Sequence, residues 1–332
     1  MSEHPLRRAL PIVAGLFVAM VAVVIAAPFV GATSIRFSRV FSRSVPFANN
    51  LDGQIFFVAR LPRALAAAFV GGALSAAGVV FQGLLRNPLA TPYTLGVSAG
   101  AALGAMIAIT FGSAWPTGGV ASASLAGAGL AVIVVYALAS ARHAGLSTTV
   151  LLLAGVTLNA FFSALILFVQ YLSNFAQVFR AMRWLMGDLD VAGYAPILAA
   201  LPFVVVAFVA FAWLARPLNL LSLGADAAES RGVNVNRAQR LAFFSASLAT
   251  GAAVSVGGPI GFVGIIVPHL VRMLVGADHR LVLPASTFFG AAFLVVCDVI
   301  ARTLIAPMEL PVGVITAIIG GPFFLWLLIR RK

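Results

Sequence analysis

RLPRALAAAFVGGALSAAGVVFQGLLRNPLATPYTLGVSAGAALG, residues Arg60 to Gly104, is the stretch that decides the fold. Two apolar runs crowded with Gly, Ala and Ser are joined by a polar turn, Gln82 to Tyr93, that carries Arg86, Asn87, Pro88 and Pro92. Small side chains let helix backbones approach closely in a bilayer, and that packing drives helix association. Gly96, Gly100 and Gly104 recur at four-residue spacing, which puts one smooth face on a helix. The stretch predicts helices packed inside a larger membrane bundle rather than helices facing lipid.

The whole chain agrees. Of its 332 residues, 62% are hydrophobic and 9% charged, and the mean hydropathy is +1.08. Such a composition predicts an all-α, polytopic membrane protein forming a single transmembrane domain over residues 1–332. The net charge of +12 does not point to nucleic acid, because the arginines sit singly or in pairs at the ends of apolar runs. The single cysteine, Cys297, excludes an intramolecular disulfide. His4, His143, His269 and His279 have no neighbours at metal-ligand spacing, so no metal site is expected. The only lysine is Lys332, which rules out a Walker A lysine in this sequence. No paired carboxylates, HExxH or nucleophile–His arrangement suggests an enzyme.

Beyond the basic Ser2–Arg8 segment, the run from Ala9 to Val30 is long enough to span, and we read it as a first helix rather than a signal peptide. Thr33 to Ala59 reads as an amphiphilic loop. Nine more runs follow: Leu61–Phe81, Thr94–Phe111, Val120–Ala141, Thr149–Tyr171, Tyr194–Leu214, Leu241–Val256, Phe262–Val275, Leu281–Leu304 and Pro311–Ile329. Ten spans are therefore expected. Leu241–Val256 and Phe262–Val275 are short and separated by Gly257-Gly258-Pro259, a break tolerated at membrane depth only inside protein or beside a water-filled cavity. With both termini inside, thirteen of the 21 basic residues fall on the cytoplasmic side, Arg86, Arg142, Arg216, Arg280, Arg331 and Lys332 among them. Arg36, Arg39, Arg43, Arg60, Arg63, Arg180, Arg183 and Arg302 fall outside. A shift of 180 residues matches nine of 37 positions, including Arg60 with Arg240, Gly71 with Gly251, Gly78 with Gly258 and Pro88 with Pro268. Copies five spans apart would be inverted, giving a 5+5 repeat of the kind that builds many transporters.

Among polar segments, Arg216 to Arg240 stands out on the predicted cytoplasmic side. Leu218 to Gly232 can form short helices broken at Gly224 and Gly232, with Asp226 and Glu229 on one face. It is either a solvated loop or the docking element that a chain without its own ATP site needs. Asp226-Ala227-Ala228 followed by Gly232 matches the EAA-x-x-x-G pattern of ABC importer membrane subunits, with Asp in place of Glu.

Further motifs run the length of the chain. They include Arg60-Leu61-Pro62-Arg63, Gln82-Gly83 through Arg86-Asn87-Pro88-Leu89-Ala90, Gly96-Val97-Ser98-Ala99-Gly100, Leu151-Leu152-Leu153-Ala154-Gly155 and Trp184-Leu185-Met186-Gly187. Gly261-Phe262-Val263-Gly264, Pro268-His269-Leu270-Val271-Arg272, Asp298-Val299-Ile300-Ala301-Arg302, Glu309-Leu310-Pro311-Val312-Gly313 and Gly320-Gly321-Pro322 complete the set. In these the sequence resembles the FecCD family, the permeases of type II ABC importers for iron–siderophore, haem and vitamin B12.

The resemblance implies a homodimer of ten-helix subunits around a central path in the cytoplasmic (inner) membrane of a bacterium. Two ATPase subunits would bind inside, holding the ATP and Mg while this chain holds no cofactor, and a periplasmic binding protein would deliver the chelate. It also implies that Arg60, Arg63 and Arg302 meet acidic residues of the binding protein, a role suited to guanidinium groups; interfacial snorkelling is the alternative. Leu218, Leu221, Gly224, Asp226, Ala227, Ala228, Glu229 and Gly232 would form the ATPase coupling segment. An inner gate is implied around Asn87 and Leu89, and around Ser147, Thr148 and Thr149, where helix N-capping is an equal reading. His269 and Arg272 would lie near the ATPase. Asp298, one turn before Arg302, suits an intrahelical ion pair. An iron chelate or haem is the expected cargo, with vitamin B12 the alternative. An ion-coupled secondary transporter is disfavoured, since Asp298 is the one carboxylate clearly inside an apolar run.

Overall fold

The computed structural model describes residues 4–42, 46–112, 119–141, 147–191 and 193–330, and all regular structure among them is helical. Arg43, Arg142, His143, Arg331 and Lys332, read above from sequence, lie outside the described residues. Every predicted apolar run coincides with a helix: α1 (His4–Ala26), α4 (Leu61–Leu85), α5 (Val97–Phe111), α6 (Gly119–Ser140), α7 (Thr148–Tyr171), α9 (Ala195–Leu221), α11 (Val235–Gly257), α12 (Val263–Val275), α13 (His279–Thr303) and α14 (Val312–Arg330). Three further helices were not expected, α2 (Phe37–Val40), α3 (Leu51–Gln54) and α8 (Phe175–Leu185), while α10 (Ala225–Glu229) is the short helix expected between Gly224 and Gly232.

The spans are unequal. Among the described residues, seven segments are long and apolar enough to cross a bilayer, and three apolar helices are shorter. At about 1.5 Å per residue, the 15 residues of α5 and 13 of α12 fall short of the roughly 30 Å hydrocarbon layer. α4 lies at the other extreme. The segment read as a loop before it is helical from Leu51, so one rod of 35 residues runs to Leu85. Pro62 cannot donate a backbone hydrogen bond, and a π turn over Ile55–Arg60 immediately precedes that gap.

Packing follows the small residues. α4 and α11 are the most enclosed spans, with 83% and 78% of their apolar windows buried against protein, compared with 6% for the first. A Cβ on Gly78 would lie 2.1 Å from the Gly264 carbonyl oxygen, and one on Gly104 would lie 2.1 Å from that of Ala123. These glycines therefore set how closely α4 meets α12 and α5 meets α6. Gly96 departs from the sequence reading. It sits at φ 78° as the N-cap of α5, not on its face. The Gly257-Gly258 break is interior, as expected, with Gly258 at φ 68° against the Trp184 carbonyl.

Correspondence at the 180-residue offset is limited. It pairs α4 with α11, but Gly78 is inside α4 whereas Gly258 ends α11. Likewise Pro88 lies in a turn and Pro268 within α12.

Candidate functional site

α4 and α13 pack antiparallel, bringing the first turn of one beside the last turn of the other at the predicted outer face. Arg60, Arg63 and Arg302 line a cleft of about 750 Å³ there, together with Arg183, Asp188 and Glu309. The three arginines are only 8%, 9% and 4% exposed, so none extends freely into water. Arg63 donates from Nε to Asp298 Oδ1 at 2.8 Å and from Nη1 to Glu309 Oε2. The second Asp298 oxygen lies 3.2 Å from Arg302 Nε, a charge pairing without an aligned hydrogen bond. Arg302 Nη2 donates to the Ala27 carbonyl at 2.7 Å. Asp298 is thus more than the intrahelical partner of Arg302. At 1% exposure it holds two guanidinium groups from two helices.

Arg60 differs from the other two. It donates to the carbonyls of Pro28 and Thr33 and has no carboxylate partner among the described residues. Elsewhere in the cleft, Arg183 Nη2 reaches Asp188 at 2.9 Å and Asp190 at 3.6 Å. Positive and negative side chains are therefore interleaved, and Arg60 is the guanidinium best placed to accept a further acid.

At the opposite end of α4, Gln82 ties that helix to α12. Its Nε2 donates to the Gly264 carbonyl at 3.0 Å, and its Oε1 accepts from Arg272 Nη1. The turn beyond has Arg86 at φ 50°, Asn87 Oδ1 accepting the Leu89 N–H at 2.9 Å, and Leu89 45% exposed. Asn159 Nδ2 donates to the Tyr93 carbonyl at 2.7 Å, an interhelical bond. Ser147 caps α7 through the Val150 N–H, with Thr148 half-buried and Thr149 exposed. Among the described residues no hydrogen bond joins Asn87 or Leu89 to Ser147, Thr148 or Thr149.

In the segment read as a coupling element, Leu218 and Leu221 belong to the last turns of α9 and are buried, at 0% and 5% exposure. They anchor the segment and do not form its surface. Gly224 (φ 118°) and Gly232 (φ 80°) bracket α10 in backbone conformations that favour glycine. Ala228 is fully buried and Ala227 half-buried, while Asp226 and Glu229 project outward. Leu223, 61% exposed beside them, is a surface residue that sequence reasoning did not single out.

Two features had escaped the sequence reading. The Arg63–Asp298–Glu309 cluster joins residues 235 and 246 positions apart, which no local pattern reveals. α8 carried a usable signal: Asn174 and Gln177 form a reciprocal capping box at its start.

A family model described as the FecCD transport family matches residues 18–330. The hemin transport system permease protein HmuU of Yersinia pestis is 38% identical, over 96% of this chain and 95% of its own length. The cobalamin import system permease protein BtuC of Halobacterium salinarum is 46% identical over 82% of this chain and 73% of its own. A solved transporter assigned to the metal-chelate ABC type, in an inward-facing conformation, superposes with a TM-score of 0.85 at 32% identity, covering 96% of this chain and 99% of that one.

Proposed function

This chain belongs to the FecCD transport family, and from that premise we propose that it is the membrane-spanning permease of an ABC importer for a metal chelate, an iron–siderophore or haem. The observation that carries this reading is the match to a hemin permease over nearly the full length of both chains. In the proposal all ten apolar helices cross the membrane in two inverted halves, both termini are cytoplasmic, and two copies enclose the path. The cargo is substrate only, and nucleotide chemistry belongs to two partner ATPases.

Each end has a part in this scheme. Inside, Asp226, Glu229 and Leu223 present acidic and apolar contacts to the ATPase. Because Ala228, Leu218 and Leu221 are buried beneath them, a displacement of α10 is passed to α9 by packing rather than absorbed by a loose loop. Outside, a carboxylate of the binding protein would replace the carbonyls on Arg60 with a bidentate ionic partner. Arg63 and Arg302, already neutralised by Asp298 and Glu309, shape the cleft that receives it. The Asn87–Leu89 turn and the Ser147–Thr149 helix start supply a narrow, mildly polar inner gate.

Vitamin B12 is the second reading, favoured by the 46% identity to a cobalamin permease. The deciding experiment reconstitutes the chain with its ATPase and binding protein. Hydrolysis stimulated by binding protein loaded with iron chelate or haem, and not with cobalamin, supports the first reading. The reverse supports the second. Uptake by this chain alone, on an ion gradient without nucleotide, refutes both.

A further inference from the structure

A second large cavity lies away from both ends of the proposed path. It is a groove of about 780 Å³ between α9 and α13, floored by Ala76 of α4, within the roughly 300–1,000 Å³ of sites that enclose drug-sized ligands. Its walls are apolar, with Phe208 and Phe211 on one side and Leu283 and Phe288 on the other. Its mouth is basic. Arg216 and Arg280 line it, and Arg237 stacks over the ring of Trp213, which also lines it, at 5.8 Å. Against these three cations stands one acid, Asp278, which takes Nε and Nη2 of Arg280. Arg216 is exposed and has no ion-pair partner among the described residues.

His279, in the wall, is tied to α9 through Asn219. His279 is 6% exposed, and its Nδ1 lies 2.7 Å from Asn219 Oδ1, which also accepts the His279 backbone N–H. An amide oxygen only accepts, so Nδ1 carries the proton, and Nε2 is a bare acceptor with no partner among the described residues.

We infer that this groove is a binding site for an anionic phospholipid of the surrounding bilayer, its acyl chains between α9 and α13 and its phosphate among Arg216, Arg280 and Arg237. An apolar trough ending in arginines at a helix terminus matches such a lipid at both of its ends, whereas a free phosphate satisfies only the mouth. Basic pockets between membrane helices select anionic headgroups in this way. The inference goes beyond the transport reading and does not depend on it, since lipid retention is measured without transport.

The test purifies the chain in detergent with equimolar phosphatidylglycerol and phosphatidylcholine of matched acyl chains and counts retained lipid by native mass spectrometry. The wild type retains phosphatidylglycerol about fivefold or more over phosphatidylcholine, the order expected for one arginine at a membrane surface. Arg216→Gln combined with Arg237→Gln brings the two lipids to parity, and Ala212→Trp, which fills the groove from an exposed position, lowers retention of both. Parity in the wild type would mean ordinary boundary lipid and would overturn the inference, as would a preference that survives the double variant. Displacement of the lipid by inorganic phosphate, or cross-linking of a cysteine at Ala212 to a second copy, would assign the groove to another occupant and overturn it too.

Discussion

Asp298→Asn keeps the shape of the side chain and removes its charge, leaving Arg63 and Arg302 without their shared partner. Both arginines are almost fully buried, and neither can swing into water without disturbing the cleft. Removing one member of a buried ion pair costs about 3–5 kcal/mol, because the other charge stays desolvated and uncompensated. Glu309, half-exposed, retains Arg63 Nη1 and limits the loss at that residue. At about 2 °C per kcal/mol for a large domain, the apparent Tm should fall by roughly 6–10 °C. Tryptophan fluorescence during heating in nanodiscs reads this directly. Arg63→Gln and the double variant complete a cycle. The two losses should fail to add by roughly 0.5–3 kcal/mol, since each removes the same contact. A Tm for Asp298→Asn within 2 °C of wild type, or strictly additive losses, would refute the idea that this carboxylate joins α4 to α13.

Two other perturbations test different parts of the structure. Gly78→Val places a Cβ 2.1 Å from the Gly264 carbonyl, where backbone must move; overpacking costs about 1–3 kcal/mol or more, so detergent-stable yield should fall sharply, while Gly129→Val, with open space around it, should express normally. Asp278 caps α13, and although burial alone raises its pKa, the side chain and backbone N–H of Arg280 and the Asn219 amide more than reverse that and hold it down to about 2. A depressed carboxylate adds stability above its unfolded pKa and loses it as pH falls through the folded one; acid denaturation between about pH 4 and 2 should therefore be shallower in Asp278→Asn, and identical curves would remove Asp278 from that account.

Much of the bundle could be read from composition because the bilayer leaves the chain few options. Each apolar run of sufficient length must be a helix, and Gly258-Pro259 must be enclosed. The charges were harder to place. Arg60, Arg63 and Arg302 were recognised as a group, yet their burial depends on how α13 and the Glu309 segment fold back over α4, which no spacing encodes. From sequence the apolar run stops short of Arg216-Pro217, which puts Leu218 and Leu221 in a cytoplasmic segment. The helix passes through both residues, since Arg216 is exposed and Pro217 is absorbed within the final turns of α9. α8 spreads three aromatic and three polar residues among aliphatic ones over only 11 positions, too short and too mixed for a hydropathy reading.

The continuous helix from Leu51 to Leu85 measures about 52 Å at 1.5 Å per residue, well beyond the roughly 30 Å of a hydrocarbon layer. Arg60 and Arg63 sit at the end of the π turn, in from the Leu51 tip, and Gln82, near the opposite end, is clasped to Arg272 and the Gly264 carbonyl. Such a member acts as a pushrod. A tilt imposed at Arg60 or Arg63 is delivered to Gln82 along one α-helix, without a chain of side chains to relay it, and the wider π turn at Ile55–Arg60 is the place where the pitch of the segment before it can yield.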